Sequence, residues 1–193
     1  MTAPELDHLV VGAADLDAAT AALEGDWGMR FGPGGRHPAM GTHNRLTRIA
    51  ATSYLEIIAT DPAGVTPNRP RWFGLDDPAV RTELEGRPRL LGWALRVPNI
   101  DAAIAASRID LGRATAMTRG ALRWRITIRD DGTLQEGGTV PFLIEWPDGS
   151  GPAASIPDSG LRFLGLTLRH PEPARLRTML AALGAADLAA VET

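Results

Sequence analysis

The sequence has no cysteine among its 193 residues, which excludes disulfides, thiolate nucleophiles and cysteine-ligated zinc. Any metal would have to be held by His, Asp or Glu. Strong charge of either sign is also missing: 20 basic residues against 23 acidic ones leave a formal net charge of −3. That balance gives no basic field to meet a phosphate backbone, so nucleic acid is not an expected partner. No eighteen apolar residues run together, and the start of the chain, with Pro4, Glu5 and Asp7, has neither the positive nor the apolar region of an export signal. A soluble, cytoplasmic protein without a membrane partner is expected. A P-loop is absent, Gly32, Gly34 and Gly35 lack the strand-to-helix setting of a dinucleotide fingerprint, and no serine lies in a nucleophile-elbow sequence.

What is present is an apolar content of 44%, enough for one sizeable core, and the length fits a single domain over residues 1–193. Leu6 to Val11 reads as a buried strand, and Asp15 opens the alanine-rich helix Leu16 to Leu23, closed by Gly25. Three strand-like stretches follow, Gly34 to Met40, Thr42 to Ala50 and Ser53 to Ala59, so residues 5–60 read as β-α-β-β-β. The connector, residues 61–88, is Pro-rich and carries a short helix begun by Asp77 and Pro78 and ended before Gly86.

The order then repeats over residues 89–147: strand Leu91 to Val97, an Asn99-capped helix Ile100 to Ser107, and strands at Ala114 to Thr118, Leu122 to Arg129 and Val140 to Trp146. Leu16-Asp17-Ala18-Ala19 aligns with Ile100-Asp101-Ala102-Ala103 without a gap. A third, partial copy begins at about residue 160, where Gly165 to Pro171 matches Gly92 to Pro98 at four of seven positions, and it is expected to add one strand and one helix. Repeated units cover one another's open edges and apolar faces, so the copies should pack together. The fold class is therefore α+β, with tandem βαβββ modules forming a curved mixed sheet and a partial third module at the C-terminal end.

Four segments in this order, "LDHLVVGAADLDAA", "GGRHPAMGTHNRL", "YLEIIATDP" and "VPFLIEWPDG", resemble the glyoxalase-like domain branch of the vicinal oxygen chelate superfamily. The resemblance spans nearly the whole chain. It implies a small-molecule pocket and up to two metal ligands per module, from the first and last strands, with Zn, Ni, Mn or Fe as the divalent ion. On that pattern His8 and Glu56 are first-module ligands; His43 is a further candidate for the missing nitrogen, which the pattern itself does not demand. Glu145 is the last-strand acid of the second module, matched through Ile144-Glu145-Trp146, while the remaining ligand position falls on Gly92. The reactions of this superfamily are diverse, so membership does not choose among them.

The residues themselves support two readings. In one, His8 and Glu56, with His43 or Glu145, hold an ion that polarises an oxygenated or carbonyl compound while Glu56 or Glu145 moves a proton, as in a metal-dependent lyase or isomerase. In the other, the cavity is metal-free and sequesters an apolar molecule against tryptophan, with Trp93 and Trp146 as its walls. His43, Asn44 and Arg45 are candidate substrate donors in both, since histidine and arginine suit anionic or carbonyl oxygens. Arg123 and Arg125 alternate with apolar neighbours and read as solvent-facing, and His170 as a helix-entry residue. The partner is a small molecule, and the reading leaves room for a homodimer.

Overall fold

The computed structural model describes residues 3–147, 149 and 151–193; Met1, Thr2, Asp148 (in the fourth resembling segment) and Ser150 lie outside the described residues. The first unit comprises β1 (Glu5–Gly12), α1 (Leu16–Trp27), β2 (Gly32–His37), β3 (Thr42–Arg48) and β4 (Tyr54–Thr60). The connector carries α2 (Pro78–Gly86), and the second unit comprises β5 (Arg89–Arg96), α3 (Ile100–Ser107), β6 (Arg113–Arg119), β7 (Leu122–Ile128) and β8 (Phe142–Glu145). After them come β9 (Thr167–Arg169), α4 (Pro173–Ala182) and β10 (Ala190–Glu192).

Local chemistry sets the helix starts. The Asp15 and Asn99 side chains accept from the backbone N–H of Ala18 and Ala102 at 2.8 and 2.9 Å, the N-cap bond that satisfies one orphan donor of each first turn. Asp77 caps α2 in the same way, with Pro78 supplying no N–H where none is needed.

The eight strands of the two units form one sheet in the order β2-β3-β4-β1-β5-β8-β7-β6. Each unit has the same internal order, and β1 and β5 join them antiparallel. Along that seam His8 lies across from Ala94, Leu9 from Trp93 and Val10 from Gly92. Exchanging the strands about the Leu9–Trp93 pair therefore carries His8 onto Gly92 and Val10 onto Ala94. A β-bulge interrupts the ladder, since the register passes from Leu6↔Leu95 directly to His8↔Ala94 and leaves Asp7 as the extra residue.

One face of the curled sheet packs against the connector, with Val10, Ile58, Ala94, Ile126 and Ile144 beneath Trp72, Phe73 and Leu75. The other face meets the helices. In the second unit Trp93, Leu95, Ile100 and Leu143 pack with Leu176 and Leu180 of α4. Each such fully buried leucine contributes about 1.5–3 kcal/mol relative to exposure, which is how the partial third unit is held. Its strand differs from expectation in one respect: β9 pairs in parallel with β10 as a separate two-stranded sheet.

Candidate functional site

The concave face lines a small, partly open cavity of about 30 Å³. His8, His37, Asn44, Tyr54 and Glu56 of the first unit make its polar side, while Trp124, Ile126, Ile144 and Trp146 of the second make an apolar wall. Trp72 and Phe73 of the connector, together with Arg119 from the end of β6, complete it.

The bulge gives the site its first feature. Asp7 is fully buried, and its Oδ1 lies 2.7 Å from His8 Nδ1. Its Oδ2 accepts from Arg96 Nε at 2.8 Å and Trp146 Nε1 at 3.0 Å. Burial alone would raise this carboxyl, but the hydrogen bonds and charges of His8 and Arg96 outweigh it and hold the group below its ordinary value. An ionised Asp7 needs a donor, so His8 Nδ1 carries the proton and Nε2 is turned toward Glu56. His8 Nε2 and Glu56 Oε2 are 3.7 Å apart, too far to bond each other. Both atoms therefore remain available to a third group. Glu56 is fixed from its other oxygen, with Asn44 Nδ2 donating to Oε1 at 2.5 Å.

The Tyr54 ring stacks on His8 with centroids 4.6 Å apart, and Phe142 meets it edge-on at 5.5 Å. Burial, with the charges of Asp7 and Glu56, keeps the Tyr54 phenol protonated well above its ordinary range. His37 is pushed down to about 3 by burial, then by Arg119 and His43. It is neutral near pH 7, so its Nε2 accepts from Arg119 Nη1 at 3.4 Å while Nδ1 meets Thr42 Oγ1 at 3.1 Å.

Several expected residues lie elsewhere. Thr42, Asn44 and Leu46 share the cavity face of β3, and alternation sends His43 and Arg45 to the other. Arg45 reaches Asp17 of α1 at 3.6 Å, and His43 pairs in register with Ala59, which packs under α1. Trp93 belongs to the helix-side core, its Nε1 bonded to Thr139 O at 3.0 Å. Glu145 sits at the start of α3, where its Oε2 accepts from Ile100 N at 2.7 Å and faces Arg125 at 3.6 Å. The match of Glu145 to Glu56 is corrected by strand pairing: Val10 is beside Glu56 in β4, and its counterpart Ala94 is beside Phe142 in β8. By the same pairing, Ile58 and Asn44 correspond to Ile144 and Ile126. His8, Glu56, Asn44 and Trp146 do meet at the cavity. His170 accepts from Glu172 N at 3.0 Å at the entry to α4.

The donor set does not fit a resident divalent ion, which normally takes three or more protein ligands. His8 Nε2 and Glu56 Oε2 provide two, His43 is behind the sheet, and the second unit offers Gly92, Phe142 and Ile126. A side chain at Gly92 would also meet Leu134, 2.9 Å from its Cβ. His37 has a cationic neighbour in Arg119. No cluster of three or more His, Asp or Glu side chains suited to a metal occurs among the described residues.

Two βαβββ units curled around one cavity are the architecture of the vicinal oxygen chelate superfamily. The chain belongs to the glyoxalase-like domain family, whose model matches residues 6–184. Similar solved structures include a hypothetical protein from Staphylococcus aureus, at 15% identity and a TM-score of 0.66 over 94% of this chain and 75% of that one. Methylmalonyl-CoA epimerase from Mycobacterium tuberculosis is 21% identical with a TM-score of 0.47, covering 72% of this chain and 86% of its own. A Streptomyces coelicolor methylmalonyl-CoA epimerase variant in complex with 2-nitronate-propionyl-CoA is 18% identical with a TM-score of 0.48, over 78% and 100%. Identities this low speak to the fold alone. No protein of curated function matches the sequence. Among the described residues no helix is long and apolar enough to cross a membrane.

Proposed function

We propose that the protein is an isomerase- or lyase-type enzyme that moves a proton at a carbon next to a carbonyl of a small molecule, with Glu56 as base and His8 as its partner. The observation that carries this reading is the buried Asp7–His8–Glu56 array at the cavity. Carboxylates taken out of water cost several kcal/mol each unless paired, and a cavity that only held an apolar molecule would gain nothing from them. Asp7 fixes the imidazole, and Asn44 fixes Glu56 through one oxygen. The free Glu56 Oε2 takes the proton from carbon and passes it to the bare His8 Nε2; the imidazolium so formed, held by ionised Asp7, donates to the enolate oxygen and returns that proton to carbon. Positioned acid–base groups of this kind contribute about 10²–10⁴-fold in rate.

The test is solvent-deuterium incorporation into a panel of small carbonyl compounds and carboxylates, run in EDTA. Incorporation by the parent that falls about 10²–10⁴-fold in Glu56→Gln supports the reading. Activity abolished by EDTA and restored by Zn²⁺, Ni²⁺, Mn²⁺ or Fe²⁺ would return the metal-assisted alternative. The five aromatic rings around the cavity favour a second reading, a binding or sequestering protein. Tight ligand binding without any deuterium incorporation would select it.

A further inference from the structure

The outer strands of the sheet, β2 and β6, curl toward each other, and Arg119 bridges them. Its side chain passes over Gly35, where a Cβ would sit 2.7 Å from Arg119 Cδ, so any larger residue there would push the crossing arginine aside. Arg119 Nη1 then donates to Asn44 Oδ1 at 2.8 Å and approaches His37 Nε2 at 3.4 Å. Both neighbours are neutral, and no carboxylate among the described residues lies within salt-bridge distance of this guanidinium. Three other partly buried arginines are treated differently. Arg71, Arg96 and Arg129 face Asp76, Asp7 and Asp110 at 2.6, 2.8 and 2.7 Å. Among the described residues the hydrogen bonds of Arg119 run from Nη1, leaving Nε and Nη2 for a two-point contact of the kind that matches a carboxylate.

A second donor on the same cavity is also unsatisfied. Trp72 is 4% exposed, and its buried Nε1 has no partner among the described residues. Its ring meets His37 edge-on at 5.0 Å. A buried donor left unpaired costs about 1–3 kcal/mol, so this side of the cavity carries a spare donor and a guanidinium with no carboxylate partner. Trp124, Ile126, Ile144 and Trp146 present a largely apolar surface, with the Trp146 N–H already given to Asp7.

We infer that the cavity takes a small organic carboxylate with an apolar or aromatic body, its carboxylate held by Arg119 and the Trp72 N–H and its body against the second-unit wall. This deepens the proton-transfer reading by naming its substrate class, and rests on that reading for the chemistry that follows binding.

The test is calorimetric binding of phenylacetate and its neutral isostere phenylacetamide. The parent should bind phenylacetate at least tenfold more tightly than the amide, and Arg119→Met should lose at least tenfold for the acid with little change for the amide. Arg119→Lys, which keeps the charge and loses the fork, should fall between, and serves if the Met variant fails to fold. Equal binding of acid and amide, unchanged affinity in a folded Arg119 variant, or binding of neither compound overturns the inference. Carboxylate binding without deuterium incorporation into any compound would sink the proton-transfer reading and leave this inference standing. Incorporation into neutral ketones with no preference for carboxylates would do the reverse.

Discussion

The two units share strand order, helix caps and a symmetric seam, yet their concave faces are chemically opposite. Where the first unit presents His8, Asn44 and Glu56, the second presents Gly92, Ile126 and Phe142 at the paired positions. One half contains ionisable groups held by hydrogen bonds, and the other contains surface that excludes water. The difference teaches that a repeated scaffold need not repeat its chemistry. The apolar half lowers the local dielectric around the polar one, which strengthens its charge–dipole contacts and raises the cost of leaving any of them unpaired.

Breaking the polar half should therefore have the largest effect. Asp7→Ala removes the acceptor shared by His8, Arg96 and Trp146, and should destabilise the fold by about 3–5 kcal/mol in urea unfolding, as for a buried pair that loses one partner. A loss below about 1 kcal/mol would mean that the array is not coupled to folding. Next is the acid limb. His37 stays neutral in the folded state down to about 3, whereas the unfolded chain takes up the proton near 6.5. As pH falls below 6.5 the unfolded state binds a proton that the native state refuses, so stability drops by up to about 1.4 kcal/mol per pH unit. Between pH 6.5 and 4.5, above the range in which Asp7 adds its own loss, His37→Gln should flatten the slope of stability against pH.

The apolar half should respond through packing alone. Ile126→Val should cost about 0.5–1.5 kcal/mol in unfolding free energy and leave deuterium incorporation within a factor of a few. The smallest effect is expected at Glu145, which serves the first turn of α3. Glu145→Gln should cost about 0.3–1 kcal/mol through the lost charge at a helix N-terminus and leave incorporation unchanged, in contrast to Glu56→Gln.

The frame of the fold was legible because its signals are local. Asp15 and Asn99 mark helix starts by side-chain caps, and the Leu16–Ala19 and Ile100–Ala103 match finds the unit offset that the β1–β5 seam reproduces. Within the site, legibility follows the same line. His8 and Glu56 were readable from the resemblance, and strict alternation would have shown that Asn44 cannot share a face with His43 and Arg45. Glu145 misled because Ile-Glu-Trp resembles Leu-Glu-Ile as letters, whereas Ala94 pairing with Phe142 sets the register three residues earlier. Asp7, Arg119 and Trp72 left no such trace. Asp7 acts through a bulge, Arg119 through the approach of two sheet edges, and Trp72 through the fold of the connector, all of them tertiary events.

The account rests on His8 offering Nε2 to the cavity while Asp7 holds the proton on Nδ1. The ¹⁵N chemical shifts of the His8 ring measure this directly, without knowledge of the substrate. The expected result is a protonated Nδ1 throughout the native pH range, lost in favour of mixed tautomers in Asp7→Asn. A neutral imidazole carrying its proton on Nε2, with Nδ1 bare beside Asp7, would contradict the arrangement and the proton transfer built on it.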